Sequence, residues 1–223
     1  MQAVILAGGF GTRLKSVISD IPKPMAPIRD VPFLSYILNE LDRQGFTKVV
    51  LAVGYLHEII ESYYGSRYKN IEILYSVEDE PLGTGGCVKR AFDYLDDEYV
   101  FVINGDTMLK VDFNDINYPT NVLIVCKRME NTSRYGRIFH ENGFITKFLE
   151  KGYDGEGYIN GGIYLFKRDI FKQFSLPNKF SMEKDFFETH LENLKIAVYL
   201  TNGYFIDIGI PEDYERAQVE LYE

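Results

Sequence analysis

The chain has 223 residues, 46% of them hydrophobic and 26% charged, which is ordinary for a soluble globular protein with one sizeable core. Its formal net charge of −9 argues against nucleic-acid and anionic-membrane partners, since both bind basic surfaces. The two cysteines form no zinc motif, and the start MQAVILAGG lacks the basic segment and long apolar stretch of a signal peptide. No apolar run has transmembrane length, so we expect a cytoplasmic protein.

The first half of the sequence alternates short apolar strands with amphipathic helices. Strands are predicted at residues 2–7, 48–54, 71–76 and 99–105, and helices at 32–44, 57–64 and 86–95. Phe33, Ile37 and Leu41 have the spacing of one helix face, and Gly45 ends that helix. Buried strands that alternate with helices are typical of a parallel sheet covered on both faces.

The second half has the pattern of antiparallel strands. A hairpin is predicted over residues 136–150, because Asn142-Gly143 is a strong turn signal. A further strand is predicted at 158–168, two more within 195–209, and a final helix at 211–221. The sequence therefore predicts an α/β protein with a Rossmann-like first half and a smaller, more antiparallel second half that faces the substrate.

The glycine-rich stretch LAGGFGTRL, residues 6–14, does not fit two familiar nucleotide loops. A dinucleotide fingerprint needs a third glycine where Leu14 stands, and an acidic residue at the end of the second strand, where Gly54 stands instead. A Walker loop would need Gly-Lys-Ser/Thr, which does not occur here. A plain tight turn and a phosphate-binding loop both remain open.

Two basic residues favour the phosphate-binding interpretation. Consecutive glycines let backbone amides approach an anion closely. Arg13 can bind phosphate oxygens with its forked guanidinium, and Lys23, between Pro22 and Pro24, can add a point charge. A plain turn explains the glycines but neither of these cations.

Asp106 and Asp207 are candidate metal ligands. Asp106 follows a buried strand, at the sheet edge where open α/β sheets bind ligands. Asp207 lies within an apolar strand, where a carboxylate is costly unless it is paired or binds a metal. An Asx turn at Asp106 and a helix cap or buried ion pair at Asp207 are the structural alternatives. Together the two carboxylates fit Mg²⁺, which takes few protein carboxylates and completes its coordination with phosphates and water.

Six motifs in chain order resemble those of the sugar-1-phosphate nucleotidyltransferases, or nucleotide-sugar pyrophosphorylases. They are GGFGTRL at 8–14 with PKP at 22–24, EPLGTGG at 80–86, NGD at 104–106, EK at 150–151, NGG at 160–162 and DIGIPEDY at 207–214. Because they run from one terminus to the other in order, the resemblance is highly specific.

The resemblance implies a fold and a reaction. The fold is a Rossmann-like α/β fold of the GT-A type, with a mixed, mainly parallel sheet flanked by helices and a smaller antiparallel sugar-binding part. It implies one nucleotidyltransferase domain over 1–223, mainly nucleotide-binding at 1–110 and mainly sugar-binding at 111–223. In the implied reaction a sugar 1-phosphate attacks the α-phosphorus of a nucleoside triphosphate with Mg²⁺ as cofactor, and pyrophosphate leaves. An ionised phosphate nucleophile needs no general base.

The resemblance also implies site residues. The predicted catalytic residues are Arg13, Lys23, Asp106 and Asp207, and the two aspartates are the predicted Mg²⁺ ligands. The predicted nucleotide-binding residues are Leu6, Ala7, Gly8, Gly9, Gly11, Thr12, Arg13, Lys23, Glu80, Gly83, Thr84, Gly85, Asn104 and Gly105. The predicted sugar-phosphate-binding residues are Tyr135, Gly136, Glu150, Lys151, Asn160 and Gly161. Lys23 would neutralise the α-phosphate, and Lys151 would orient the attacking phosphate.

Within the family, the sequence most resembles guanylyltransferases that use a heptose 1-phosphate for bacterial surface glycan synthesis. Mannose-1-phosphate guanylyltransferases and glucose-1-phosphate thymidylyl- or cytidylyltransferases are alternatives, and a non-catalytic nucleotide-sugar sensor is a remote one. Gly152, Ile210 and the Tyr204-Phe205 pair depart from residues common in relatives, but none of these departures removes a proposed catalytic group. The expected partners are the two small-molecule substrates, without nucleic acid or membrane, and the expected assembly is a homodimer.

Overall fold

The computed structural model describes residues 1–9, 21–117 and 120–221, and one large sheet runs through both halves of this part of the chain. Its strands, with those of two small sheets, are β1 Gln2–Leu6, β2 Pro27–Ile28, β3 Val31–Pro32, β4 Lys48–Val53, β5 Arg67–Tyr68, β6 Ile71–Val77, β7 Tyr99–Asn104, β8 Thr107–Leu109, β9 Val122–Met129, β10 Arg137–Glu141, β11 Phe144–Leu149, β12 Gly157–Lys167, β13 Ala197–Thr201 and β14 Phe205–Asp207. The α-helices are α1 Phe33–Arg43, α2 His57–Tyr64, α3 Gly83–Ala91, α4 Leu191–Leu194 and α5 Pro211–Glu220. A π-helix spans Met182–Glu188, and a 3₁₀ turn spans Lys23–Met25.

The large sheet is mixed, as the sequence predicts. Its ten strands have the order β10-β11-β13-β9-β12-β7-β1-β4-β6-β5. Strands β7, β1, β4 and β6 are parallel neighbours, and β13 is parallel to β9. Strands β10, β11 and β12 of the second half form antiparallel pairs and extend the same sheet. Parallel pairs are therefore concentrated in the first half, and among the described strands they do not predominate over the sheet as a whole.

Alternating side chains of the central strands supply a core on each face of the sheet. In β4, Val49 and Leu51 pack with α1 on one face, while Val50 and Ala52 pack with α3 on the other. The second core also holds an aromatic group formed by Phe166, Phe171, Phe180, Phe186 and Phe187. Both faces of the sheet are thus covered, which explains why its central strands are continuously apolar.

Several element boundaries differ from those that the sequence predicts. Helix α3 begins at Gly83 rather than at residue 86. The predicted hairpin turn is confirmed, with positive φ at Asn142 and Gly143. The two strands predicted within 195–209 belong to different sheets, since β13 joins the large sheet and β14 pairs only with β8. None of the helices in the described ranges has the length and apolar character needed to cross a bilayer.

Candidate active site

The ends of β1 and β7 bring Asp106 next to the start of the glycine-rich stretch. These strands are parallel neighbours, with Leu6 opposite Asn104. The backbone N–H of Gly105 donates to the carbonyl oxygen of Leu6 at 3.0 Å. A Cβ added at Gly105 would lie 2.6 Å from that oxygen, so only glycine allows this approach. Asp106 is therefore held beside the chain segment that enters the glycine loop, as the position of the strand end predicts.

The pairing of β8 with β14 brings Asp207 next to Asp106. These short strands are antiparallel, with Thr107 opposite Asp207. The N–H of Ile208 donates to the carbonyl oxygen of Asp106 at 3.0 Å. The carboxylate Oδ1 of Asp207 accepts a 2.7 Å hydrogen bond from the N–H of Gly209, which fixes its orientation. Two acidic residues about a hundred positions apart in sequence thus lie together, as the sequence analysis expects.

Lys23 lies between these two carboxylates. It begins the 3₁₀ turn Lys23–Met25, which follows Pro22 and is closed by a hydrogen bond from the N–H of Met25 to the carbonyl oxygen of Pro22. Its Nζ donates to Oδ2 of Asp106 and lies 3.9 Å from Oδ1 of Asp207. Only 14% of the Lys23 side chain is exposed, so its ammonium group is largely shielded from solvent within this cluster.

The two carboxylates form a local excess of negative charge that favours cation binding. Burial and the nearby charge of Asp106 raise the pKa of Asp207, although Lys23 and the N–H of Gly209 oppose this shift. Within the described ranges, no group of three or more His, Cys, Asp or Glu side chains could hold a metal. Two carboxylates are nevertheless a donor set that Mg²⁺ uses with substrate phosphates and water. The residues present therefore fit this ion.

Seven of the predicted nucleotide-binding residues, together with the predicted metal ligand Asp106, line one cavity of about 330 Å³. They are Leu6, Gly8, Gly9, Lys23, Gly83, Thr84, Asn104 and Asp106. Ala7 is buried, and Glu80 is exposed and does not line the cavity. Gly11, Thr12 and Arg13 lie outside the described residues. A larger cavity of about 410 Å³, lined in part by Leu82 and Gly86 of the α3 region, contains none of the predicted site residues.

Glycines at the start of α3 serve helix packing as well as the cavity. The N–H groups of Gly85 and Gly86 both donate to the carbonyl oxygen of Phe180, at 3.0 and 3.3 Å. A Cβ added at Gly85 would lie 2.1 Å from the ring of Phe180. The sequence predicts that Gly85 binds the nucleotide, but the close approach that glycine permits at this position is to Phe180. Gly83 and Thr84 do face the cavity.

Six lining residues were not predicted as site residues, and three of them, Glu78, Cys87 and Glu183, have titratable side chains. An Oε atom of Glu78 accepts from the N–H of Leu82 at 2.9 Å, and one of Glu183 accepts from the hydroxyl of Thr84 at 2.9 Å. Burial raises the pKa of the Cys87 thiol, so it stays protonated. Glu78 follows β6 at the ligand-binding sheet edge, a position that could have indicated it. Glu183 lies in a π-helix, which has no clear sequence pattern.

The predicted sugar-site residues fall into two groups. The Tyr135 ring packs edge-on against the ring of Phe205, with 5.7 Å between the two ring centroids. Phe205 stands two residues before Asp207 in the sequence. Asn160 is fixed locally, since it donates to the Tyr164 hydroxyl and accepts from the N–H of Gly162. Gly136 and Gly161 allow close backbone contacts, the first to Leu149 and the second to Val125.

Glu150 and Lys151 form the second group, at the exposed end of β11. Oε1 of Glu150 lies 3.5 Å from Nζ of Lys184, in an exposed ion pair. Lys151 is exposed, and its side chain makes no hydrogen bond or ion pair with the residues that the structure describes. The structure thus places Tyr135 beside the carboxylate cluster and leaves the predicted Glu-Lys pair open to solvent.

Comparison with known proteins identifies the family of this chain. The sequence profile of the family described as nucleotidyl transferase matches residues 2–223. D-glycero-alpha-D-manno-heptose 1-phosphate guanylyltransferase of Aneurinibacillus thermoaerophilus is 47% identical, with 99% of this chain and 98% of that protein covered. The enzyme of the same name from Campylobacter jejuni is 45% identical, with 96% and 97% covered.

Solved structures of HddC from Yersinia pseudotuberculosis are also similar. One has a TM-score of 0.88 at 37% identity, and the second, complexed with GMP-PN, has a TM-score of 0.86 at 38% identity. Both comparisons cover 97% of each chain. The resemblance inferred from the six motifs is confirmed: this chain belongs to the nucleotidyl transferase family.

Proposed function

We propose that this chain transfers a guanylyl group from GTP to D-glycero-α-D-manno-heptose 1-phosphate and releases pyrophosphate. The observation that carries the proposal is the convergence of Lys23, Asp106 and Asp207 in one cluster, of which Lys23 and Asp106 line the cavity. The names of the relatives from A. thermoaerophilus and C. jejuni, at 47% and 45% identity, support the choice of base and sugar. In this reaction an oxygen of the sugar phosphate forms a bond to the α-phosphorus, and the bond from that phosphorus to the pyrophosphate oxygen breaks.

Asp106 and Asp207 are the proposed ligands of Mg²⁺. When bound, the ion supplies positive charge that neutralises the triphosphate and the developing pyrophosphate. The two carboxylates would hold the cation at the end of β7, next to the end of β1 at Leu6. Their shared position explains why residues from two distant segments are needed.

Lys23 is the proposed electrostatic catalyst. Its Nζ contacts the carboxylate of Asp106, and it also lines the cavity, so it reaches both the metal ligands and a bound triphosphate. A cation that is already oriented stabilises charge on the α-phosphate without reorganisation during the reaction. Gly8, Gly9, Gly11, Thr12 and Arg13 are the proposed phosphate-binding loop, with Arg13 balancing the charge of the leaving pyrophosphate.

Guanine recognition is proposed to use hydrogen-bond acceptors of the cavity wall. Guanine presents donors at N1 and at its 2-amino group. Carboxylates of Glu78 and Glu183 line the cavity, whereas the predicted Glu80 lies outside its lining. Thr84 holds the Glu183 carboxylate in place, which favours Glu183 as a rigid acceptor.

The sugar 1-phosphate is proposed to bind beside the carboxylate cluster. Tyr135 and Gly136 would face the sugar, with Glu150, Lys151, Asn160 and Gly161 as further contacts. We also propose a GT-A-type arrangement, a cytoplasmic location and a homodimer. Cell fractionation tests the location, and light scattering of the purified chain tests the assembly.

A substrate panel tests the proposed function. GTP, ATP, CTP and dTTP are each combined with heptose, mannose and glucose 1-phosphates in the presence of Mg²⁺, and pyrophosphate release is measured. We expect the largest kcat/KM with GTP and the heptose 1-phosphate, and loss of release with EDTA. Nucleotide-sugar binding without release under any condition would instead identify a sensor, and faster release with another pair would reassign the substrate.

A further inference from the structure

A cation that the sequence analysis did not identify lies beside the carboxylate cluster. Arg134 precedes the predicted sugar-site pair Tyr135-Gly136, and its Nη2 donates to Oδ2 of Asp213. Asp213 lies in α5, the helix that follows the Asp207 turn. This ion pair therefore ties the turn that carries Tyr135 to the element that follows a proposed metal ligand.

Asp213 is built to hold guanidinium groups. Its side chain is 4% exposed, and its other oxygen accepts from Nη1 of Arg216 at 2.9 Å. A carboxylate this deeply buried costs free energy unless it is paired, and each of its oxygens is paired here with one arginine. Arg216 is further committed to its surroundings, since it also contacts Glu220 and the carbonyl oxygen of Phe205.

Arg134, in contrast, keeps donors for a ligand. It uses one of its five N–H donors in the contacts recorded within the described ranges, and 47% of its side chain is exposed. The Tyr135 ring lies 5.5 Å from its guanidinium carbon and is itself packed edge-on against Phe205. The hydrogen bond to Asp213 raises the pKa of the Arg134 guanidinium against the opposing effect of burial, so the group stays positively charged.

We propose that Arg134 binds the phosphate of the sugar 1-phosphate and that Asp213 is the positioning residue that orients its guanidinium. The assignment rests on the proposed function. A phosphate nucleophile that approaches a triphosphate beside Asp106 and Asp207 meets strong negative charge and needs a fixed cation. A forked guanidinium matches phosphate oxygens, and Arg134 is oriented before the substrate arrives. Lys151, exposed on the β11 side, acts in addition to it.

Kinetics of substituted proteins test this assignment. Pyrophosphate release is measured with GTP, Mg²⁺ and the heptose 1-phosphate for wild type, Arg134→Ala, Arg134→Lys, Asp213→Asn and the double variant Arg134→Ala/Asp213→Asn. Removal of a hydrogen-bonding partner of a charged group predicts a KM for the sugar phosphate raised roughly 10- to 100-fold in Arg134→Ala. The KM for GTP should stay within about twofold of the wild-type value, because Arg134 is proposed to contact only the sugar phosphate.

The other variants separate binding from positioning. Arg134→Lys should recover part of the affinity, since lysine restores the charge without the fork. Asp213→Asn should raise the KM for the sugar phosphate as well. The double variant should have the same KM for the sugar phosphate as Arg134→Ala alone, because Asp213 acts through Arg134. Arg128→Ala is the matched control: it removes an arginine from an exposed ion pair with Glu156 and should leave both KM values unchanged. Thermal melting of each variant reports its folding.

Each contrary result has a distinct meaning. An unchanged KM for the sugar phosphate in Arg134→Ala, or an equal rise for both substrates, would overturn the assignment of Arg134. Additive effects in the double variant would overturn the positioning role of Asp213. Absence of release by the wild type with every sugar 1-phosphate would overturn the proposed function itself, and this assignment with it.

Discussion

Lys23, Asp106 and Asp207 form a three-charge cluster whose members depend on one another. Lys23 contacts Asp106 and lies within 4 Å of Asp207, while the two carboxylates repel each other. One ammonium cannot fully neutralise two carboxylates, so the cluster retains an affinity for further positive charge. The same imbalance that favours Mg²⁺ should therefore limit the stability of the metal-free protein.

The Asp207→Asn variant tests this imbalance. The raised pKa of Asp207 means that the folded state binds a proton more tightly than the unfolded state, so this group lowers stability as pH rises through that pKa. Without Mg²⁺ at pH 7, the variant should therefore melt at or above the wild-type temperature. The difference should vanish on acidification toward about pH 4, the unfolded pKa of aspartate. Pyrophosphate release should fall on the order of 100-fold or more, since a metal ligand is lost.

Asp115→Asn provides the control, because it removes an exposed carboxylate of a surface turn. It should leave pyrophosphate release unchanged. A metal-free Asp207→Asn protein that melts well below wild type at pH 7 would contradict the account of charge repulsion. Near-normal activity would contradict the role of Asp207 as a metal ligand.

Residues with a chemical signature were predictable, and residues that owe their position to tertiary structure were not. Lys23 stands between prolines and Asp106 follows a strand, so each is recognisable locally. Glu183 and Arg134 reach the site only because Thr84 and Asp213 from distant segments hold them. Charged residues on surface loops are common, so neither one stands out in a single sequence.

At the scale of elements, short pairings decide where the catalytic groups lie. Strands β8 and β14 have three residues each, yet their pairing places Asp207 beside Asp106. Local periodicity identified the long elements of the first half, such as α1 and β4. It could not show that β13 and β14 join different sheets, because both strands are apolar and sheet membership depends on long-range pairing.

Helix α3 offers a test of packing at this scale. Gly85→Ala places a Cβ against the Phe180 ring, so the ring or the helix must move. We expect the free energy of unfolding in urea to fall by ~1–3 kcal/mol, as for overpacked cores. Because Gly83 and Thr84 line the cavity from the same helix, the KM for GTP should also rise.

Two further proteins complete that experiment. The double variant Gly85→Ala/Phe180→Leu should lose less unfolding free energy than the two single variants lose in total, because leucine leaves room for the new methyl group. Arg90→Ala, at an exposed position of the same helix, should change stability by no more than about 0.5 kcal/mol. If Gly85→Ala is as stable as wild type, the predicted steric cost of a methyl group beside Phe180 is wrong.

At the scale of the whole molecule, one sheet combines the parallel strands of the first half with the antiparallel strands of the second half. The parallel strands β1 and β7 end at the cavity, and β12 continues the sheet from β7 into the antiparallel half. Alternation of strands and helices predicted the first part and the Asn-Gly turn predicted the hairpin. The fusion of both parts into one sheet depends on the antiparallel pairing of β12 with β7, which no local pattern encodes.

The central claim is that the sheet edge at this cavity aligns a sugar phosphate oxygen with the α-phosphorus of GTP. Heptose 1-phosphate carrying heavy oxygen in its nonbridging phosphate positions tests it when the reaction with GTP and Mg²⁺ is followed by phosphorus NMR. The account predicts a guanosine diphosphate sugar that retains all of the label, with one labelled atom between the two phosphorus atoms, and unlabelled pyrophosphate. Unlabelled GMP from attack by water, or unchanged GTP and sugar phosphate, would contradict it.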